Sequence, residues 1–272
     1  MKICLVSAFP PSRRGLNEYG YHMARELRQD PLLSLTILAD ELETDEAELA
    51  DFDVIRCWSF DRVANPVRLW KTVADLKPDV VWFNLLFSTF GGRPLPAFAG
   101  LLTPAGIRLS GCYTHVTLHH LMDNINLRDA GVRFPRLYRA AGYWATRMVL
   151  MANSVSVLLP AYRRTLIERY GGENIHFRAH GILSARPELP DFRRRGNPHH
   201  RILAFGKWGT YKRLELLIAA FAQLRQRFPE ARLVVAGGDH PKSPGYVESV
   251  RQRLAGDPCI TFTGYVAEEQ IP

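Results

Sequence analysis

No stretch of about 18 consecutive apolar residues occurs in this chain, so no membrane-spanning helix is expected. The nearest case, "AAGYWATRMVLMANSVSVLL" (140–159), is interrupted by Arg147 and Asn153 and reads as a core helix running into a core strand. The opening "MKICLVSAF" is too short an apolar run for a signal peptide and breaks at Pro10 and Pro11. Cysteine is scarce. The four residues Cys4, Cys57, Cys112 and Cys259 form no CxxC and no Cys/His cluster with zinc spacing, which leaves reduced structural thiols in a cytoplasmic protein as the expectation. A G-x-G-x-x-G fingerprint is missing too. Neither "AFPPSRRGLNEYG" nor "AGGDHP" supplies it, which argues against a bound NAD. Acidic residues number 27 against 35 lysines and arginines, for a formal net charge of +8. That balance suits nucleotide phosphates, nucleic acid or an anionic membrane face. Nucleic acid has only the charge in its favour and is not expected as a partner.

What is present is an alternation of short apolar runs with amphipathic stretches. The runs are "KICLVSA" (2–8), "LTILA" (35–39), "DVVWFN" (79–84), "HVTLHH" (115–120) and "SVSVLL" (154–159). Helical patterns such as 17–28, 65–76 and 135–152 lie between them. Short buried strands separated by such helices predict an α/β protein with parallel sheets covered on both faces. With 272 residues, 47% of them hydrophobic, the chain can fill one large core or two ordinary ones. The polar, proline-bearing "RPELPDFRRRGNPHH" (186–200) reads as a linker, its triple arginine as a solvated charge run. Beyond it the alternation restarts as a βαβαβ unit: "RILAF", a helix with Leu214, Leu217, Ile218, Phe221, Leu224 and Phe228 on one face, "ARLVVAGG", the helix 245–256, and "CITFTGYV". The expected organisation is a Rossmann-like domain over 1–190, a linker at 191–200 and a second, incomplete doubly wound domain over 201–272.

The chemistry-bearing stretch is "FGKWGTYKRLELLIAAF" (205–221), in which a strand is expected to end at Phe205 and an amphipathic helix to begin near Lys212. Open α/β sheets bind ligands beyond the carboxyl ends of their strands. Gly206 and Gly209 let the backbone approach closely, the start of a helix favours an anion, and Lys207 and Lys212 add positive charge. A diphosphate suits such a loop; a solvated loop with two ordinary surface lysines is the alternative. "DFD" (51–53) spells a metal-binding DxD, but it precedes a strand rather than following one. It is assigned to a solvated turn, and no metal site is expected.

"ILAFGKWGTYKRLELLIAAFAQL" resembles the donor-site segment of family 4 glycosyltransferases with the GT-B fold. The resemblance implies that Lys207, where arginine is usual, and Lys212 hold the diphosphate of a nucleotide sugar in place of a metal ion. Arg213 stands at the family's common glycine. "ARLVVAGGDHP" looks like the next strand and its turn, bringing Gly237 and Gly238 near the nucleotide, and "ITFTGYVAEEQIP" like the segment before the donor-binding helix. "VTLHHLMD" resembles the strand end with the family's active-site histidine, which maps to His119. "FRAHGI" resembles the element closing the first domain, with His180 read as structural. "FPPSRRGLNEYGYHMARELR" resembles the first Gly-rich loop and helix, with Gly15-Leu16 where the family has Gly-Gly. Asn17 and Glu18 after that loop are a helix cap and its neighbour, or meet acceptor hydroxyls.

The implied function is a retaining, metal-independent hexosyltransferase in which His119, Lys207 and Lys212 act on the reaction. Gly15, Gly206, Lys207, Lys212, Arg213, Gly237 and Gly238 would line the site for a UDP- or GDP-linked sugar, with no other cofactor. The acceptor would be a carbohydrate or glycolipid. Arg136, Arg139 and Arg147, on a helix rich in aromatic and apolar residues, leave two readings open: a core-packed solvated helix, or peripheral contact with the inner membrane face. Family members carry two glutamates seven residues apart later in the donor domain. Glu268 and Glu269 are adjacent and too early to serve, so the expectation is a fragment or a truncated product. Two alternatives follow: a non-catalytic nucleotide or polyanion-binding module, and a phosphorylase or epimerase of the same fold.

Overall fold

The computed structural model describes residues 1–42, 49–124, 134–181, 196–197, 200–240, 243–254 and 256–266. The expected linker at 191–200 lies outside the described residues except at 196, 197 and 200, as do Ile182, Glu268 and Glu269. The chain divides into two units, Met1–Ala185 and Arg186–Pro272.

Unit 1 is built on strands β1 (Lys2–Val6), β2 (Ser34–Asp40), β3 (Asp53–Trp58), β4 (Val80–Leu85), β5 (Tyr113–Leu118), β6 (Ser154–Val157) and β7 (Ile175–Phe177). All pair in parallel, in the order β3-β2-β1-β4-β5-β6-β7. The apolar runs read from the sequence supply this sheet's buried side chains, among them Leu5, Leu38, Phe83, Val116 and Val157. The order reverses between β1 and β4. There the loops leaving two neighbouring strands diverge, and a site can open.

The connecting helices are α1 (Asn17–Leu27), α2 (Asn65–Leu76), α3 (Pro94–Leu101), α4 (Thr103–Leu109), α5 (Pro135–Val149) and α6 (Pro160–Tyr170). From α2 to α6 each helix has a proline in its first turn, where the missing N–H costs nothing and the fixed φ suits the helix. Helix α1 packs against β2. Helix α2 packs against α3 and α4, which in turn pack against α5. Two glycines permit close approach here. A Cβ at Gly20 of α1 would sit 2.5 Å from Ser7 Oγ, and one at Gly100 of α3 would sit 2.3 Å from the Phe90 ring.

Unit 2 is the restarted alternation: β8 (Arg201–Phe205), α7 (Leu214–Arg225), β9 (Arg232–Ala236), α8 (Tyr246–Arg253) and β10 (Ile260–Gly264). Its sheet runs β10-β9-β8, all parallel. Leu214, Phe221, Leu233, Val235 and Val250 form its core. On its other face β8 exposes Leu203 (68%) and Phe205 (54%). The helix expected to start near Lys212 begins instead at Leu214. Thr210–Lys212 form a single 3-10 turn, and Arg213 in a left-handed conformation (φ 49°) separates the two. The "DFD" stretch ends inside the sheet. Asp53 is the first residue of β3, and its carboxylate accepts a hydrogen bond from Thr36 Oγ1 at 2.7 Å. All four cysteines are free; Cys4, Cys57 and Cys259 are buried. Burial pushes the Cys4 thiol up to about 12 and that of Cys57 up to about 11, which leaves both inert.

Candidate functional site

In unit 1 the register sets Asn84 opposite Thr117 and Leu85 opposite Leu118, so the residue after β5 emerges beside the end of β4. That residue is His119. Its backbone N–H donates to the Leu85 carbonyl (3.0 Å), and its Nε2 lies 2.5 Å from Asn84 Oδ1. The Asn84 amide donates through Nδ2 to Ser7 Oγ (3.1 Å), which leaves Oδ1 as the acceptor facing the imidazole. Nε2 therefore carries the proton, and Nδ1 keeps the lone pair. Burial, with His180 and His120 nearby, lowers the His119 pKa to about 4, so the ring is neutral at physiological pH. Tyr19 of α1 meets the His119 ring edge-on at 4.4 Å and the His180 ring at 5.1 Å. The exposed His180 thus stands 6.2 Å from His119. His120 turns toward Phe87, 5.6 Å away, and burial lowers its pKa. A groove of about 420 Å³ adjoins Tyr19 and is lined by Met23, Trp82, His115 and Thr117. Its volume falls in the range of small-ligand sites.

The loop from β1 to α1 closes the same edge. Its anchor is Asp40, fully buried at the end of β2. This carboxylate accepts from Ser12 Oγ (2.5 Å) and from the Phe9 N–H (3.3 Å), with Arg14 and Arg56 each 3.7 Å away. Burial raises the Asp40 pKa, and the Ser12 and Phe9 hydrogen bonds and Arg56 oppose the rise. Asn17 Nδ2 donates to the Ser12 carbonyl (2.7 Å), so Asn17 braces the loop rather than capping α1. Gly15 is exposed and would bring a Cβ only into ordinary contact with Leu86, at 3.4 Å. The left-handed position is Leu16, at φ 73°, where glycine would carry no strain.

In unit 2 the loops after β8 and β9 are laced together through their backbones. Gly206 N–H donates to the Ala236 carbonyl (3.1 Å), Trp208 N–H to the Gly238 carbonyl (2.8 Å), and Gly237 N–H to the Gly264 carbonyl (2.8 Å). Gly206 and Gly237 have φ of 154° and 97°. A Cβ at Gly237 would lie 2.0 Å from the Gly206 carbonyl oxygen, so no side chain is possible there without moving the loop. Trp208 is buried beneath the loop and donates Nε1–H to the Ala236 carbonyl (3.0 Å). The Lys212 ammonium lies over Gly206, 2.6 Å from where a Cβ would stand, and 5.7 Å from the Trp208 ring centroid. Lys207 and Lys212 are both exposed.

The nearby carboxylates are committed elsewhere. Asp239 accepts from the N–H groups of Gly245 (2.6 Å) and Val247 (2.8 Å), stabilising the start of α8. Glu215 accepts from Tyr246 Oη and from Arg253 (3.1 Å), and the Tyr246 bond holds its carboxyl below the usual range. The Tyr246 hydroxyl also accepts from the Leu214 N–H at 3.0 Å. The first N–H of α7 is thus capped internally, so the two lysines and the glycine backbone, not that helix end, are what an anion would meet.

Of the residues expected from the sequence, Gly206, Lys212, Gly237 and Gly238 gather in these loops with Lys207 beside them. Arg213 contributes the left-handed link into α7. His119 and Gly15 belong to unit 1. The sequence reading missed Tyr19, Asn84 and Trp208. Asn84 is the last polar residue of an otherwise apolar strand, and Trp208 sits between Lys207 and Gly209. Both are local oddities that could have drawn notice.

Residues 199–272 match the family described as "Glycosyl transferases group 1". Over 77 residues the chain is 35% identical to mannosylfructose-phosphate synthase of Agrobacterium fabrum (strain C58), an alignment covering 26% of this chain and 17% of that protein. Two solved structures are similar across nearly the whole chain. The Anabaena Alr3699/HepE structure with UDP and glucose has a TM-score of 0.62 at 14% identity, covering 98% of this chain and 70% of that one. WaaG, a glycosyltransferase involved in lipopolysaccharide biosynthesis, has a TM-score of 0.55 at 13% identity, covering 99% and 71%. The chain therefore spans less than a fifth of its curated relative and about 70% of these structures. The fold is α/β of the GT-B type.

Proposed function

We propose that this chain carries the machinery of a glycosyltransferase of the retaining, metal-independent kind. A sugar passes from a UDP- or GDP-linked donor to a hydroxyl of a carbohydrate or glycolipid acceptor. The bond from the anomeric carbon to the diphosphate breaks, a bond from that carbon to the acceptor oxygen forms on the same face, and the acceptor proton leaves with the diphosphate. The observation that carries this reading is the Lys212 ammonium over Gly206, with Lys207 beside it and Asp239 and Glu215 engaged elsewhere. Such a loop meets a diphosphate with positive charge already in place, and the attraction grows as charge develops on the leaving group. Two ammonium groups supply that charge without a metal ion, although lysine lacks the bidentate grip of arginine. Neutral His119, with Nδ1 as its lone-pair nitrogen, accepts a hydrogen bond from a sugar hydroxyl without bringing a charge of its own. The family match over 199–272 supports the donor side of this reading.

The test is release of nucleoside diphosphate from a panel of UDP- and GDP-sugars with mixed carbohydrate acceptors, with and without EDTA. Turnover insensitive to EDTA, and reduced at least 100-fold in kcat/KM by Lys212→Ala, is the expected result. Nucleotide binding with no turnover on any acceptor would instead identify a binding module.

A further inference from the structure

A backbone carbonyl can only accept a hydrogen bond, and one such carbonyl sets the direction of a buried chain of bonds in unit 1. It belongs to Leu16, the left-handed residue before α1. The Ser7 hydroxyl donates to it at 3.4 Å, which turns the lone pairs of the Ser7 oxygen toward Asn84. Asn84 then donates its Nδ2–H to Ser7 (3.1 Å) and presents Oδ1 to the His119 imidazole (2.5 Å). Without the Leu16 end the chain would run equally well in reverse. Ser7 would donate to Oδ1, and the amide nitrogen would face an Nε2 that carries no proton. Ser7 and Asn84 are both fully buried, so bulk water does not compete for these bonds. A Cβ at Gly20 would sit 2.5 Å from Ser7 Oγ, so glycine at that position leaves the hydroxyl its place.

An amide rather than a carboxylate at position 84 has its own consequence. Tyr19, His120 and His180 are the titratable groups set around the ring, and the charges acting on it come from the two histidines. Both disfavour the imidazolium. A carboxylate in place of the Asn84 amide would have nearly the same shape, yet it would set a negative charge against Nε2 and favour the cation. Asparagine instead orients the ring and leaves it uncharged.

We propose that Ser7 and Asn84 are positioning residues that commit His119 to the Nε2–H tautomer, with the Leu16 carbonyl as the fixed end of the chain. The imidazole then offers only the Nδ1 lone pair. A consequence for specificity rests on the sugar-transfer reading: the sugar position that meets His119 must bear a hydroxyl, since a deoxygenated position would leave Nδ1 unpaired.

The experiment is long-range proton–nitrogen NMR of the 272-residue chain carrying nitrogen-15-labelled histidine, between about pH 8 and about pH 5, with no nucleotide or sugar present. His119→Gln assigns the signal. A single Nε2–H tautomer is expected for His119 in the unaltered chain, with no protonation across that range. Ser7→Ala frees the amide to turn, and the signal should become an average of the two tautomers. Asn84→Asp should raise the pH at which His119 titrates by about 2 units or more. Residues that merely fill space would move neither reading. If Asn84→Asp melts early, the tautomer of the unaltered chain and its response to Ser7→Ala decide alone. An Nδ1–H or mixed tautomer in the unaltered chain, or a tautomer that Ser7→Ala leaves unchanged, overturns the proposal. So does a His119 titration that Asn84→Asp, melting like the parent, leaves in place. Release of nucleoside diphosphate from sugar donors, measured separately, distinguishes failure of the sugar-transfer reading from failure of this one.

Discussion

At the carboxyl edge of unit 1 the group able to meet a sugar is a largely buried, neutral imidazole, held by Asn84 and flanked by Tyr19. At the same edge of unit 2 the corresponding groups are two exposed ammonium ions above a pair of glycines. Both units use the strand–loop–helix grammar and place their candidate residues beyond the strand ends, yet each obtains its chemistry differently. Unit 1 removes a charge by burial. Unit 2 keeps its charges in water and brings the backbone close. On the proposed reading, burial suits unit 1 to hydroxyls and exposure suits unit 2 to a highly charged ligand.

The largest expected effect comes from Gly237→Val. A Cβ there collides with the Gly206 carbonyl at a φ that valine avoids. Unit 2 should lose about 3 kcal/mol of stability, and diphosphate affinity should fall by about 100-fold or more, read by thermal melts and calorimetry. Gly15→Ala in unit 1, with ordinary contact and no positive φ, should change stability by less than about 0.5 kcal/mol. Equal behaviour of the two variants would break the contrast.

Acidification comes next. The imidazoles of His115 and His119 fall from the usual 6.5 to about 4 on folding, chiefly through burial. Below pH 6.5 the unfolded chain takes up protons that the folded unit refuses. Stability is therefore full above 6.5 and drains as pH falls toward 4, by about 3 kcal/mol per imidazole at the limit. Hydrogen exchange at pH 7 and pH 5 should show amides of β4 and β5 opening more readily at the lower pH, with β8 and β9 little changed. Similar loss in both sheets would place the acid sensitivity elsewhere.

Smaller effects sharpen the picture. Lys212→Ala should weaken nucleoside diphosphate binding by about 10- to 50-fold, and Lys207→Arg should tighten it a few-fold through a bidentate contact, both measured by calorimetry. In unit 1, Leu16→Gly relieves a left-handed leucine at φ 73°. It should leave stability unchanged or raise it by up to about 1 kcal/mol in denaturant unfolding.

The parallel sheets were legible because fully buried strands read as apolar runs. The placing of Gly206 and Gly237 was legible because each follows such a run directly, and that of Lys212 because it stands just before the next helical pattern. The short α3 and α4, the helix α6 and the three-residue β7 were not marked out by periodicity, since such brief elements draw their definition from the sheet they pack on. The start of α7 was misjudged by two residues because Arg213 adopts a conformation that its identity does not announce. The Asn84–His119 contact joins residues 35 apart, and the commitment of Asp239 to α8 depends on the backbone path of its loop. Neither is written in local spacing, though both decide which charges a ligand would meet.

The most direct test of the account is calorimetric titration of the chain with UDP and GDP beside UMP and GMP, repeated with Lys207→Ala/Lys212→Ala and with His119→Ala. At least one diphosphate should bind tenfold or more tightly than its monophosphate. That preference should vanish in the double lysine variant and survive in His119→Ala. Equal affinity for mono- and diphosphates in the unaltered chain, or a diphosphate preference that persists without both lysines, would contradict the assignment of the unit 2 loop as the diphosphate site.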